Sequence, residues 1–206
     1  MNYDVSQWSI VLLGSWNTAL LNPDWVIQHI FDGEQAELDI HVVPGRRSVM
    51  RVRRDNIIFA PTEERVTIHC SEASEAVIQL AELKAVELLK KLPVTPVTAV
   101  GVNFGFEDAD PAGSLLQPFT FRDAPKFAEH DLEVRSASIT RKIIAEGQEI
   151  NLMIERKDDL GISVRFNFHH AARSAEEAAE LLEGNSVAYL AKSNQILDQI
   201  YGVEVE

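Results

Sequence analysis

The sequence holds one cysteine, Cys70, among 206 residues. A single thiol cannot close an intramolecular disulfide, so the fold must rest on its core, and the usage suits a reducing compartment. No apolar run approaches the roughly 18 residues needed to span a bilayer. The longest near the start, Ile10-Val11-Leu12-Leu13, is strand-sized. Met1-Asn2-Tyr3-Asp4 offers neither a basic segment nor a small-residue cleavage site, so no secretory leader is expected. The expectation is a cytoplasmic chain with no membrane partner. Basic charge is also scarce: 19 Lys and Arg stand against 32 Asp and Glu, a net −13. That balance favours solubility and disfavours a general phosphate-binding surface, so nucleic acid is not the expected partner.

Chemical motifs are missing as well. Gly101, Gly105 and Gly113 do not make a phosphate-binding fingerprint, because no helix opens directly after them. Glu107-Asp108-Ala109-Asp110 lacks the spaced ligands and defined turn of a calcium loop. His69 and Cys70 are chain neighbours and poorly placed for mutual proton transfer, so a buried, inert thiol is the better reading. His169 and His170 end a strand, where adjacent side chains point to opposite faces and cannot easily share one metal. No metal, no cofactor and no catalytic constellation is expected. Whether the chain is an enzyme is left open.

What is present is pattern. Hydrophobic residues make up 46%, enough for a sizeable core. Residues 149–156 and 162–169 read as strands, and a helix opens at Ser174 and runs to Tyr201, with a break at Gly184-Asn185. The first half carries a fainter copy. Residues 65–70 read as a strand and a helix opens at Ser74. Ile68-His69 and then Ser74 echo Phe168-His169 and then Ser174, 100 positions later.

Around these, residues 8–16 read as a buried strand and Asn22-Pro23-Asp24 opens a short helix ended by Asp32-Gly33. Residues 36–43 alternate as a half-buried strand, with Leu38, Ile40 and Val42 inward. Pro44-Gly45 turns the chain into strands over 48–54 and 56–60. The helix after Ser74 shows an apolar stripe in which Leu80, Leu83 and Leu88 are expected to face the sheet, as are Ile196 and Ile200 in the last helix. In 97–106, Val100, Val102, Phe104 and Phe106 alternate with Gly101, Asn103 and Gly105. That glycine-rich face predicts close packing of something over it. Residues 107–131 are irregular, with one helical turn near 114–117. Strands follow over 132–145, 149–156 and 162–169, joined by turns at 146–148 and 157–161.

The predicted fold class is α+β: mainly antiparallel sheet, one or two in number, with two long helices packed on one face. An internal duplication of a strand–connection–three or four strands–helix unit is expected, as halves 1–94 and 95–206 of one compact whole. At the level of architecture alone this order resembles the duplicated saddle of TATA-binding-protein-like and helix-grip folds. The sequence holds no motif of those families, and architecture does not bring function with it.

Two groups of residues are candidates for recognition. Arg46, Arg47, Arg51, Arg53 and Arg54 fall within nine residues, with Arg47, Arg51 and Arg53 on one strand face. They suit an anion, although pairing with carboxylates from neighbouring strands is the plainer expectation. His169, Arg165 and Asn103 are the polar groups expected around a pocket between sheet and long helix, near the glycine-rich face. The leading functional expectation is a module that binds a protein partner or a second copy of itself. The alternative is a small-molecule enzyme or ligand-binding protein. A nucleic-acid binder using the 46–54 strand is third.

Overall fold

Antiparallel pairing organises the whole chain. The computed structural model describes residues 1–41, 49–111, 113–145, 147–156 and 161–206. The elements run β1 (Asn2–Tyr3), β2 (Ser9–Gly14), α1 (Pro23–His29), β3 (Glu37–His41), β4 (Val49–Arg54), β5 (Ile57–Pro61), β6 (Arg65–Cys70) and α2 (Glu75–Lys91). They continue with β7 (Val97–Asp108), α3 (Gly113–Leu116), α4 (Ala124–Glu129), β8 (Ala137–Ala145), β9 (Gln148–Arg156), β10 (Ile162–Ala171), α5 (Ala175–Leu182) and α6 (Ser186–Tyr201). Pro44-Gly45, Arg46 and Arg47 lie outside the described residues, as do most of the 157–161 turn and Glu146 of the preceding one.

The strands form one sheet in the order β3-β4-β5-β6-β2-β7-β10-β9-β8, with β1 also paired to β7. The β2–β7 ladder, from Ser9 opposite Asn103 to Gly14 opposite Val97, joins the early strands to the late ones. Helices α2, α5 and α6 cover one face. Beneath them the alternation is strict: Ile10 and Leu12, Val66 and Ile68, Phe104 and Phe106, Ile150, Leu152 and Ile154, Phe166 and Phe168 are all buried. Fully burying such a side chain contributes about 1.5–3 kcal/mol. The rings meet edge-on: Trp8 stands 5.1 Å from Phe104, and Phe106 stands 5.7 Å from Phe166.

Local chemistry sets the boundaries. Asn22, Ser74 and Ser174 each accept the N–H of the residue three further on. The β4–β5 turn has Asp55 and Asn56 both at positive φ, 49° and 63°, which matches the twist of a two-residue hairpin. The last helical region is two helices. Gly184 takes φ 80°, and Asn185 supplies no side-chain cap to α6. Glu82 of α2 does so instead: its carboxylate, 9% exposed, accepts the N–H of Gly184 at 2.6 Å and of Ser186 at 2.7 Å.

Five expectations need correction. Leu83 is 52% exposed whereas Leu88 is 0%. Leu83 lies roughly 140° around the helix from Ile78, at about 100° per residue, and so faces water. Ile200 is exposed, while Ile196 is buried. Leu38 and Ile40 are exposed too, because β3 is the outermost strand of the sheet. The connection 109–136 holds more structure than one turn: α3, a 3-10 turn at Gln117–Phe119, and α4. The following strand begins at Ala137 and not at 132.

Candidate functional site

The sheet face away from the helices is where polar residues collect. Directly opposed residues form a row across nine strands: Lys142, Asn151, Asn167, Asn103, Ser9, His69, Ile58, Arg53, Glu37. Its middle is hydrogen-bonded side chain to side chain. Asn151 Nδ2 donates to Asn167 Oδ1 at 3.2 Å, and Asn167 Nδ2 donates to Asn103 Oδ1 at 2.8 Å. Asn103 Nδ2 donates to Ser9 Oγ at 3.1 Å and to the Ser9 carbonyl at 3.5 Å. At the outer end Asn151 Nδ2 also donates to Glu149 at 3.3 Å, and Lys142 pairs with Glu149 at 2.9 Å. The hydrogen bond from Lys142 is the main cause holding Glu149 below the usual carboxylate range.

Two glycines make room for this row. A Cβ on Gly101 would sit 2.9 Å from Asn167 Nδ2. A Cβ on Gly105 would sit 2.5 Å from Gln7 Cβ, on the 3-10 turn Val5–Gln7 that closes over it. Close packing against the glycine-rich face is therefore real at both positions.

Above the row is an open groove of about 340 Å³ lined by residues that include Ser6, Gln7, Ser9, His69, Asn103, Thr140, Asn151, Met153, Arg165 and Asn167. Arg165 pairs with Glu155 at 3.1 Å and lies 3.1 Å from Met153 Sδ. Its Nε is shielded from water with no hydrogen-bond partner. His69 is half-buried, and burial, then the charges of Arg51 and Arg65, push its pKa below the ordinary 6.5.

Of the residues singled out in sequence, Asn103 and Arg165 share this groove. His169 lies on the same face one row away, opposite Gly101 and Glu149, and is not among the groove's lining residues. All three point away from the helices, so they cannot line a cavity between sheet and helix; that interior is filled by the phenylalanines. His170 turns to the helix side, with its Nε2 2.9 Å from the Tyr189 hydroxyl and 3.2 Å from Gln148 Nε2. Burial, then the neighbouring His169, lowers its pKa.

Arg51 and Arg53 stand on the open face opposite Asp39 and Glu37. The register thus supplies the expected carboxylates, but among the described residues neither arginine closes an ion pair. Arg47 lies outside the described residues. Arg54, on the other face, pairs with Glu34 and Asp55.

Cys70 is buried, and burial pushes its thiol up to about 12, so it is not a thiolate at neutral pH. Among the described residues no three His, Cys, Asp or Glu side chains gather where they could hold a metal ion. Among the described residues no helix is long and apolar enough to cross a membrane. Ser9, Asn151 and Asn167 escaped the sequence reading. Each sits in a visible alternation, but only the strand register brings them into one row.

No family model matches the chain, and a comparison with curated proteins found no match.

Proposed function

We propose that this chain acts by binding, and that it seats a stretch of partner polypeptide along the open face, over the Asn103–Asn167–Asn151 row. The observation that carries the reading is the unspent hydrogen-bonding capacity of that row. A carboxamide offers two N–H donors and two acceptor lone pairs. The ladder uses two of these four on Asn151, two on Asn167 and three on Asn103. All three side chains line the groove, and what is left is chemistry that a peptide group, one N–H and one C=O, can satisfy. A second copy of the chain is the first partner to test.

A second reading, a small polar ligand anchored by Asn103, Arg165 and His69, is favoured by the 340 Å³ volume of the groove, with His169 near its edge. An anion site on Arg47, Arg51 and Arg53 is a weaker proposal, since Arg51 and Arg53 do not line this groove. A cytoplasmic location belongs to the same proposal and rests on the lone cysteine.

We also propose that residues 1–94 and 95–206 are two copies of one unit. In support, the strand order outward from the β2–β7 pair is first–last in both directions: β2-β6-β5-β4 one way and β7-β10-β9-β8 the other. Each last strand leads into a serine-capped helix, at Ser74 and at Ser174.

The test is a random-peptide display selection on the whole chain, with light scattering over a concentration series. Peptides enriched on the wild type should bind Asn167→Ala at least about tenfold more weakly, the effect of losing one or two hydrogen bonds. A mass that doubles with concentration, and does not in Asn167→Ala, identifies the second copy as the partner. No enrichment over a blank support, or equal binding by Asn167→Ala, overturns the proposal.

A further inference from the structure

Thirteen large apolar side chains are exposed among the described residues, and five of them fall within residues 116–134: Leu116, Phe121, Phe127, Leu132 and Val134. Exposed apolar side chains gathered in one patch mark a binding surface, and three of these five, Phe121, Phe127 and Val134, line one cavity. The connection does not lie flat. Phe119 and Phe121 meet edge-on at 6.2 Å, and with Phe127 and Val134 they wall a cavity of about 310 Å³. The end of the sheet closes it, with Ala137 of β8 and Arg156 of β9. This is the small end of the range for ligand pockets, ~300–1,000 Å³.

Arg156 gives the cavity its chemistry. It is paired in register with Ala137 and Ile162, two residues beyond the buried Ile154, and so lies on the helix side of the sheet. The open-face groove is on the other side. Arg156 Nε is shielded from water and has no hydrogen-bond partner, and among the described residues the guanidinium closes no ion pair. The side chain as a whole is half-buried, and a shielded N–H donor left without an acceptor is costly. Asp123 also lines the cavity, but its side chain is exposed and does not pair with Arg156.

We infer that this cavity binds a small amphipathic anion, a monocarboxylate with a short alkyl or aromatic body. The phenylalanines take the apolar body, and Arg156 takes the carboxylate, for which a guanidinium fork is the matching donor. The inference is independent of the peptide reading, because it uses none of the same residues.

Calorimetric titration of the whole chain with octanoate, octan-1-ol and octylammonium tests it. Octanoate should bind saturably at one per chain, and the alcohol and the amine at least about tenfold more weakly, the fold-change of one charge-assisted hydrogen bond. Arg156→Gln should bring octanoate down to the level of the alcohol and leave the alcohol unchanged. Phe127→Ala should weaken both alike. Absence of saturable octanoate binding, or an alcohol that binds as well as the carboxylate, overturns the assignment using the wild type alone. So does a preference for octylammonium, which would give the cavity to Asp123 and a cation. Unchanged octanoate binding by a folded Arg156→Gln overturns it as well.

Discussion

Asn167 and Phe168 are neighbours in one strand and belong to different parts of the molecule. Phe168 stacks on Tyr189 at 4.7 Å under the helices, with no exposure. Asn167 stands on the open face, bonded to Asn103 and Asn151. The same division runs along β7, where Phe104 and Phe106 face the helices and Asn103 and Gly105 face away. One side of the sheet is closed and apolar and holds the fold together. The other is polar, is covered by none of the described α-helices and only locally by the 3-10 turn Val5–Gln7, and its hydrogen bonds leave capacity to spare. What the difference teaches is that stability and recognition are assigned residue by residue, on alternate positions of the same strands.

The sharpest way to break this comparison is to truncate each member of the pair. Phe168→Ala should cost about 3–5 kcal/mol of unfolding free energy, the usual loss for a buried aromatic. Asn167→Ala should cost about 0.5–1.5 kcal/mol, the net worth of an ordinary hydrogen bond. Urea titration measures both. Equal losses would mean that the open face carries the fold as much as the closed one does.

An intermediate effect belongs to Glu82, a charged group on the closed side. Glu82→Ala removes the acceptor for two backbone N–H groups at the start of α6 and should cost about 1.5–3 kcal/mol. Glu82→Gln, which keeps one acceptor oxygen, should cost less. A stability unchanged by Glu82→Ala would show that α6 caps itself.

The smallest effect is a pH response that compares the faces directly, since His69 is on the open one and His170 on the closed one. Both have pKa values pushed below the ordinary 6.5, mainly by burial. As pH falls below 6.5 the unfolded chain takes up these protons before the folded one does. The stability contributed is therefore complete above the unfolded value and is lost as pH falls toward the folded values. The urea midpoint should be lower at about pH 5.5 than at about pH 7.5, and less so in a His69→Gln/His170→Gln double variant. An identical loss in the double variant would place the response on other groups.

Much of the fold was legible because its signals are local. Strand alternation separated an apolar face from a polar one in β6 and β7, and the serine caps at 74 and 174 marked the helix starts. The misreadings share one cause, which is that exposure depends on what lies opposite. Leu83 belongs to an apolar stripe in sequence, but only the packing of α2 on β2 and β6 chooses which side of that stripe turns inward. Leu38 and Ile40 alternate like core residues, yet their strand is the edge of the sheet. Asn103 and Arg165 were legible as polar groups near a glycine-rich face. The side of the sheet they occupy was not, because alternation separates two faces without saying which one the helices cover.

The sequence by itself determined where backbone hydrogen bonds become strands or helices, where Asn22, Ser74 and Ser174 start helices, and that one face of most strands is apolar. These follow from side-chain period, capping and turn chemistry, all of which act within a few residues. Tertiary structure alone decided that one sheet and not two is formed, through the β2–β7 ladder. It also decided that Asn151, Asn167, Asn103 and Ser9 align in a row, and that Glu82 reaches across 104 positions to cap α6 at Ser186. The physical reason is register: which residue stands opposite which is set by pairing between segments distant in the chain, and no local rule contains it.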